Sequence, residues 1–205
     1  MLCVVDKVAA RIVKIDPAFR PIVEAIGPLA IRPPSDDAFQ ALLRTIVFQQ
    51  LAGKAASAIL GRVLGLFDGS PTPAALLALD EAKLRTAGMS ANKTLAVIDL
   101  ARKFTDGTVP SDDLDSLGDE EVITRLSQIR GIGRWSAEMF LIFQLRRPDI
   151  WPVDDLGVRN GWRNVHGLAL APTPKELAAL GEPFRPHRSA VAWYCWRAVA
   201  PVAVA

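Results

Sequence analysis

Two adjacent aspartates, Asp154 and Asp155, follow Pro152 in the stretch WPVDDLGVRNGW and directly precede a segment that must re-enter a helix. A carboxylate pair in that position can divide its labour. One side chain caps the helix by accepting first-turn N–H groups, and its neighbour projects a different way and stays available for chemistry. Twenty residues before Asp155 stands Trp135, at the end of IRGIGRW, where Gly131 and Gly133 flank a single isoleucine. A Gly-Ile-Gly break turns the backbone with no Cβ in the way and leaves amide donors uncovered at the start of the next helix. With a helix dipole behind them, such donors suit a phosphate, and Ile132 would point back to pin the turn to the core. The same three residues also fit an ordinary corner between two helices, and taken alone they leave both readings open.

The charge distribution bears on that choice. Residues 125–205 carry 11 Lys and Arg against 6 Asp and Glu, whereas residues 1–124 carry 13 against 16. Ten of those 11 cations are arginine, whose planar fork binds phosphate, so the charge is consistent with a polyanionic partner as well as with a solvated basic face.

The elements that must hold these residues read as helices. SDDAFQALLRTIVFQQLAG places Phe39, Leu42, Leu43, Ile46, Val47 and Leu51 at helical spacing behind a Ser-Asp-Asp cap. KAASAILGRVLGLFDG, SANKTLAVIDLARKFTDG and GDEEVITRLSQI repeat the pattern, and no alternating strand pattern of useful length occurs. The expectation is an all-α protein of about ten short helices. The acidic connection DGTVPSDDLDSLGDEE is the expected hinge, and its run from Asp112 to Glu121 reads as helix caps and first-turn acids.

The 205 residues are half hydrophobic, enough for a real core, and no apolar run reaches the roughly 18–20 residues that span a bilayer. A soluble, cytoplasmic and nucleoid-associated protein with no membrane partner is expected. Cys3 and Cys195 lie near opposite ends, which excludes a cysteine zinc site or an iron–sulfur cluster built from this chain alone. His166 and His187 are isolated and read as structural.

The segment LSQIRGIGRWSAEMFLIFQLRRPDIWPVDDLGVRNG resembles the helix-hairpin-helix segment and following aspartate loop of the DNA glycosylase superfamily, in the branch of 3-methyladenine DNA glycosylase II. The resemblance extends to IVFQQLAGKAASAI, GMSANKTLAVIDLA and FRPHRSAVAWYCWR, spanning about residues 36 to 200. It implies two helical lobes with an active-site cleft between them: about 36–115 in one, and 1–35 with 116–205 in the other, the latter carrying the hairpin (118–145) and the catalytic loop (151–160). Only some 35 residues precede the first matched helix, so the extra N-terminal β domain of some longer members is not expected.

The resemblance makes Asp155 the catalytic carboxylate and leaves Asp154 as the structural cap. It places Trp135, Met139 and Trp196 in a pocket for a flipped base, Met139 standing where some members have tyrosine, and Trp193 falls to the core. DNA contacts are implied at Gln49, Gln50, Leu51, Ala52, Gly131, Ile132, Gly133, Arg134 and Ser136, with Leu51 or Ala52 as the wedge that fills the vacated stack. Bifunctional relatives carry lysine at the Trp135 position to form a Schiff base, which tryptophan cannot do. The expected activity is therefore monofunctional excision of cationic purines such as 3-methyladenine and 7-methylguanine from double-stranded DNA, by a monomer that requires no cofactor. Carbonyls of Ser127, Ile129 and Ile132 are implied as a site for Na or K. The competing reading is a non-catalytic helix-hairpin-helix DNA-binding module.

Overall fold

The computed structural model describes residues 7–31, 34, 37–110 and 113–199, and all the regular structure among them is helical. Cys3, Asp36 and Asp112 lie outside the described residues. The chain opens with α1 (Lys7–Ile15) and α2 (Arg20–Ile26), joined by a 3-10 turn at Pro17–Phe19. There follow α3 (Ala38–Phe48), α4 (Gly53–Leu64), α5 (Pro73–Leu77), α6 (Glu81–Thr86), α7 (Ala91–Thr105), α8 (Asp119–Leu126) and α9 (Arg134–Phe143). It closes with α10 (Leu156–His166), α11 (Pro174–Gly181), a 3-10 turn at Glu182–Phe184 and α12 (Arg188–Val199).

These helices form two compact units, Pro33–Leu145 in one, and Met1–Arg32 with Arg146–Ala205 in the other. The expected partition differs in one respect: the hairpin belongs with α3 and α7, not with the C-terminal segment. Ile129 and Ile132 are buried, the Arg130 N–H donates to Asp99 of α7 at 2.7 Å, and α9 packs on α3. The stretch around Asp106–Glu121 is accordingly no boundary between units. Buried Val109 and Leu114 anchor it, and Arg125 Nη1 reaches the Thr108 carbonyl at 3.3 Å.

In the unit that carries the hairpin, Phe39, Leu42, Leu43, Ile46 and Val47 are buried as the periodicity predicts, but Leu51 is 39% exposed. The cause is local. Helix α3 stops at Phe48, and Gln50 takes a φ of 57°, a left-handed conformation unusual for a side chain with a Cβ, so Leu51 leaves the helical register.

In the other unit, α10 and α12 pack so closely that a Cβ on Gly161 would stand 2.0 Å from the Cys195 carbonyl oxygen. Phe19, Trp162 and Phe184 meet edge to face beneath this crossing, and the Tyr194 hydroxyl donates to the Gly27 carbonyl at 3.0 Å. His166 is structural, as expected. It stacks on Trp162, and its two ring nitrogens contact the Trp162 carbonyl and the Asp16 carboxylate at 2.9 and 2.7 Å.

Candidate active site and hairpin

The approach to the aspartates is pinned from three sides. Arg188 binds the Asp149 carboxylate through two nitrogens at 2.8 and 2.9 Å, Ser189 Oγ accepts the Ile150 N–H at 2.9 Å, and the Trp151 indole donates to the Leu177 carbonyl at 2.7 Å. A turn then closes as the Asp155 N–H donates to the Pro152 carbonyl at 3.1 Å, and α10 begins at the next residue.

Asp155, not Asp154, is the cap of α10: its Oδ1 accepts the Val158 N–H at 2.7 Å. Asp154 sits one residue further out in the turn and is exposed, too far from the helix start to take that role. Asp155 is only 7% exposed, and the same Oδ1 accepts the Trp196 indole N–H at 2.9 Å. The carboxylate is thus oriented by one backbone and one side-chain donor. Gly157 makes the approach possible, because a Cβ there would stand 2.8 Å from Trp196 Cδ1 and 3.0 Å from Asp155 Oδ1. Burial pushes the Cys195 thiol above its ordinary range and the Asp155 charge pushes it further, so Cys195 is an inert neighbour. Trp193 is buried core, as the sequence reading expects, and Trp196 is half-buried.

The hairpin is built in the other unit. Gly131 has a φ of 81°, which glycine alone adopts at no cost, while Gly133 is extended and is the N-cap of α9. No side chain caps α9 at Gly133, in contrast with Asp37 on α3, Ser90 on α7 and Thr173 on α11. Two of the residues expected to contact DNA have partners within the protein. The Ile132 side chain is buried, pinning the turn to the core as expected, but its N–H donates to the Ile129 carbonyl at 3.0 Å and is not one of the free donors. The Arg134 guanidinium is engaged by Glu120, at 3.0 Å for one of its bonds, and by Glu138 at 3.1 Å. Those bonds hold the Glu120 carboxyl below its usual range and raise Arg134.

Trp135, on the first turn of α9, is 49% exposed. It borders an open depression of about 770 Å³ with Arg44, Thr45, Phe48, Gln49, Gln50, Gly131 and the largely buried Ser136. Met139, one turn on, is half-buried and is not among the lining residues. Arg44 and Phe48, which the sequence reading passed over, pair by cation–π contact at 5.5 Å; their spacing of four on α3 was the available signal. Leu51 and Ala52 are both exposed, Ala52 at the N-cap of α4.

Residues 43–186 match the model of the HhH-GPD superfamily of base excision DNA repair proteins. The chain belongs to this superfamily. It is 40% identical over 162 residues to DNA-3-methyladenine glycosylase 1 of Schizosaccharomyces pombe, covering 78% of this chain and 71% of that one. The solved structure of a 3-methyladenine DNA glycosylase from S. pombe in complex with abasic DNA superposes with a TM-score of 0.82 at 35% identity, covering 93% of this chain and 95% of that one. A DNA-3-methyladenine glycosidase from Bacillus halodurans gives 0.85 at 32% identity, over 94% and 89%.

Proposed function

We propose that this HhH-GPD protein is a monofunctional DNA glycosylase that excises alkylated, cationic purines, 3-methyladenine and 7-methylguanine among them, and leaves an abasic site. The observation that carries the reading is the buried Asp155 carboxylate, oriented by the Val158 amide and the Trp196 indole, in a chain whose relatives are named DNA-3-methyladenine glycosylases.

A purine alkylated at N3 or N7 already carries positive charge and leaves without a strong acid to protonate it. As the glycosidic bond breaks, positive charge develops on the deoxyribose. An ionised, preoriented carboxylate stabilises that charge and orients the attacking water, which is the one task the reaction demands of the protein. Extrusion of the base costs a few kcal/mol, less for a weakly paired damaged base. The hairpin amides after Ile132 grip the backbone, Leu51 fills the vacated stack, and the exposed indole of Trp135 offers a face for a cationic base. A monovalent cation belongs to the same proposal; the carbonyls of Ser127, Ile129 and Ile132 would hold it, that of Ile129 with the lone pair not used by the Ile132 amide.

Tryptophan at position 135 cannot form a Schiff base, which supports the absence of lyase chemistry. The test is incubation of the purified protein with methylated duplex DNA, with free bases and strand scission followed separately. Released methylpurines with strands intact until alkali is added, and no borohydride-trapped adduct, are the expected result. No base release, or a trapped adduct, would overturn the proposal.

A further inference from the structure

We infer that Gln49 is a positioning residue that clasps the wedge turn to the hairpin, and not itself a DNA contact. Its side-chain Nε2 donates to the Gly131 carbonyl at 2.9 Å, and its Oε1 lies 3.8 Å from where a Cβ on Gly131 would stand. One hydrogen bond therefore joins two loops that are 82 residues apart in sequence. Each loop turns on a left-handed residue, Gln50 with a φ of 57° on one side and Gly131 with a φ of 81° on the other.

A non-glycine residue at positive φ persists only where its surroundings over-determine it. Around Gln50 they do. Lys93 Nζ donates to the Val47 carbonyl at 2.7 Å at the end of α3, the Gln49 amide donates to the Thr45 carbonyl at 3.2 Å, and the Leu51 amide to the Phe48 carbonyl at 3.3 Å. Across the clasp, Asp99 holds the Arg130 amide at 2.7 Å, next to the carbonyl that Gln49 grips. The exposed Leu51 and the uncapped start of α9 are thereby fixed in register with each other.

The consequence rests on the proposed function. A wedge and a phosphate grip act on one nucleotide at the same moment, so the cost of holding them in register is met in the folded protein and not during base extrusion. Gln49 then assists extrusion and leaves bond breaking alone. Its loss should matter for a base that must be unpaired and much less for one that is already unpaired.

The experiment compares wild type, Gln49→Ala and Gln49→Glu, the last being isosteric but unable to donate to a carbonyl. Single-turnover excision of 7-methylguanine is measured opposite cytosine and opposite an abasic site. Both variants should lose roughly five- to tenfold opposite cytosine, the size of one hydrogen bond, and less than about twofold opposite the abasic site. Equal losses on both substrates, or no loss on either, would overturn the clasp. Should wild type release no base at all, the functional reading fails separately, and amide hydrogen exchange decides the clasp. Faster exchange at Leu51 and Ile132 in Gln49→Ala is expected, and unchanged exchange would refute it.

Discussion

Trp196 Nε1 donates a 2.9 Å hydrogen bond to Asp155 Oδ1, the same oxygen that accepts the Val158 amide. An indole that the family resemblance implies as a pocket wall is thus first an orienting group. Trp196→Phe keeps the ring and removes the donor. It should lower the excision rate about tenfold, the value of one hydrogen bond to a charged group, with a melting temperature within a few degrees of wild type. An unchanged rate would leave Trp196 with packing alone.

Two glycines on α10 should separate positioning from stability. Gly161→Ala drives a Cβ to 2.0 Å from the Cys195 carbonyl oxygen, a backbone atom that cannot step aside, and should cost about 3 kcal/mol or more in denaturant unfolding. Gly157→Ala meets the edge of Trp196 and the Asp155 carboxylate instead, so it should depress excision more than it depresses stability. Equal effects of the two on unfolding would contradict this assignment.

Gly133→Val tests the hairpin without disturbing it. A Cβ at Gly133 meets nothing within 4 Å, and the extended backbone there accepts any residue. Stability should fall by no more than about 1 kcal/mol, the cost of a β-branched apolar residue at this N-cap. Binding should weaken alike for damaged and undamaged duplexes of any sequence, because a phosphate contact carries no sequence information. A loss confined to one lesion would place the contact at the base.

Acid should destabilise the unit that holds Asp155 through Asp149. Burial pushes the Asp149 carboxyl up, but the bonds and charge of Arg188, with that of Arg185, outweigh it and hold the group below its usual range. A carboxyl lowered by folding contributes stability that is fully present above its unfolded value, about pH 4, and is lost as pH falls through the lower folded value. Asp149→Asn should therefore reduce stability near neutral pH and flatten the acid limb of the unfolding profile. A parallel profile would show that other carboxylates carry it.

Much of this was legible in the sequence because it is written in local pattern. Helical spacing gave Phe39 through Val47 as core, and the Gly-Ile-Gly turn, the aspartate loop and the core position of Trp193 followed from motif and resemblance. What the sequence left dark depends on which atom reaches which. Either of two adjacent aspartates can cap a helix on composition alone; the turn closed by Pro152 gives the cap to Asp155 and leaves Asp154 exposed. Arg134 is implied as a DNA contact, but its engagement by Glu120 and Glu138 is not legible in the sequence. The grouping of the hairpin with α3 and α7 rests on contacts such as Gln49 to Gly131 and Asp99 to Arg130, which no window of sequence contains.

The central claim is that the Asp155 carboxylate provides the charge that stabilises the departing state. Asp155→Asn keeps an oxygen able to accept from Val158 and Trp196, so the fold and the cap should survive while the charge is lost. The decisive measurement is the single-turnover rate of 7-methylguanine release from duplex DNA, with duplex affinity measured alongside. The account predicts a fall of about 10²–10³-fold in rate, the scale of a lost electrostatic stabiliser, with affinity changed by less than about threefold. Comparable release by Asp155→Asn and wild type would contradict it.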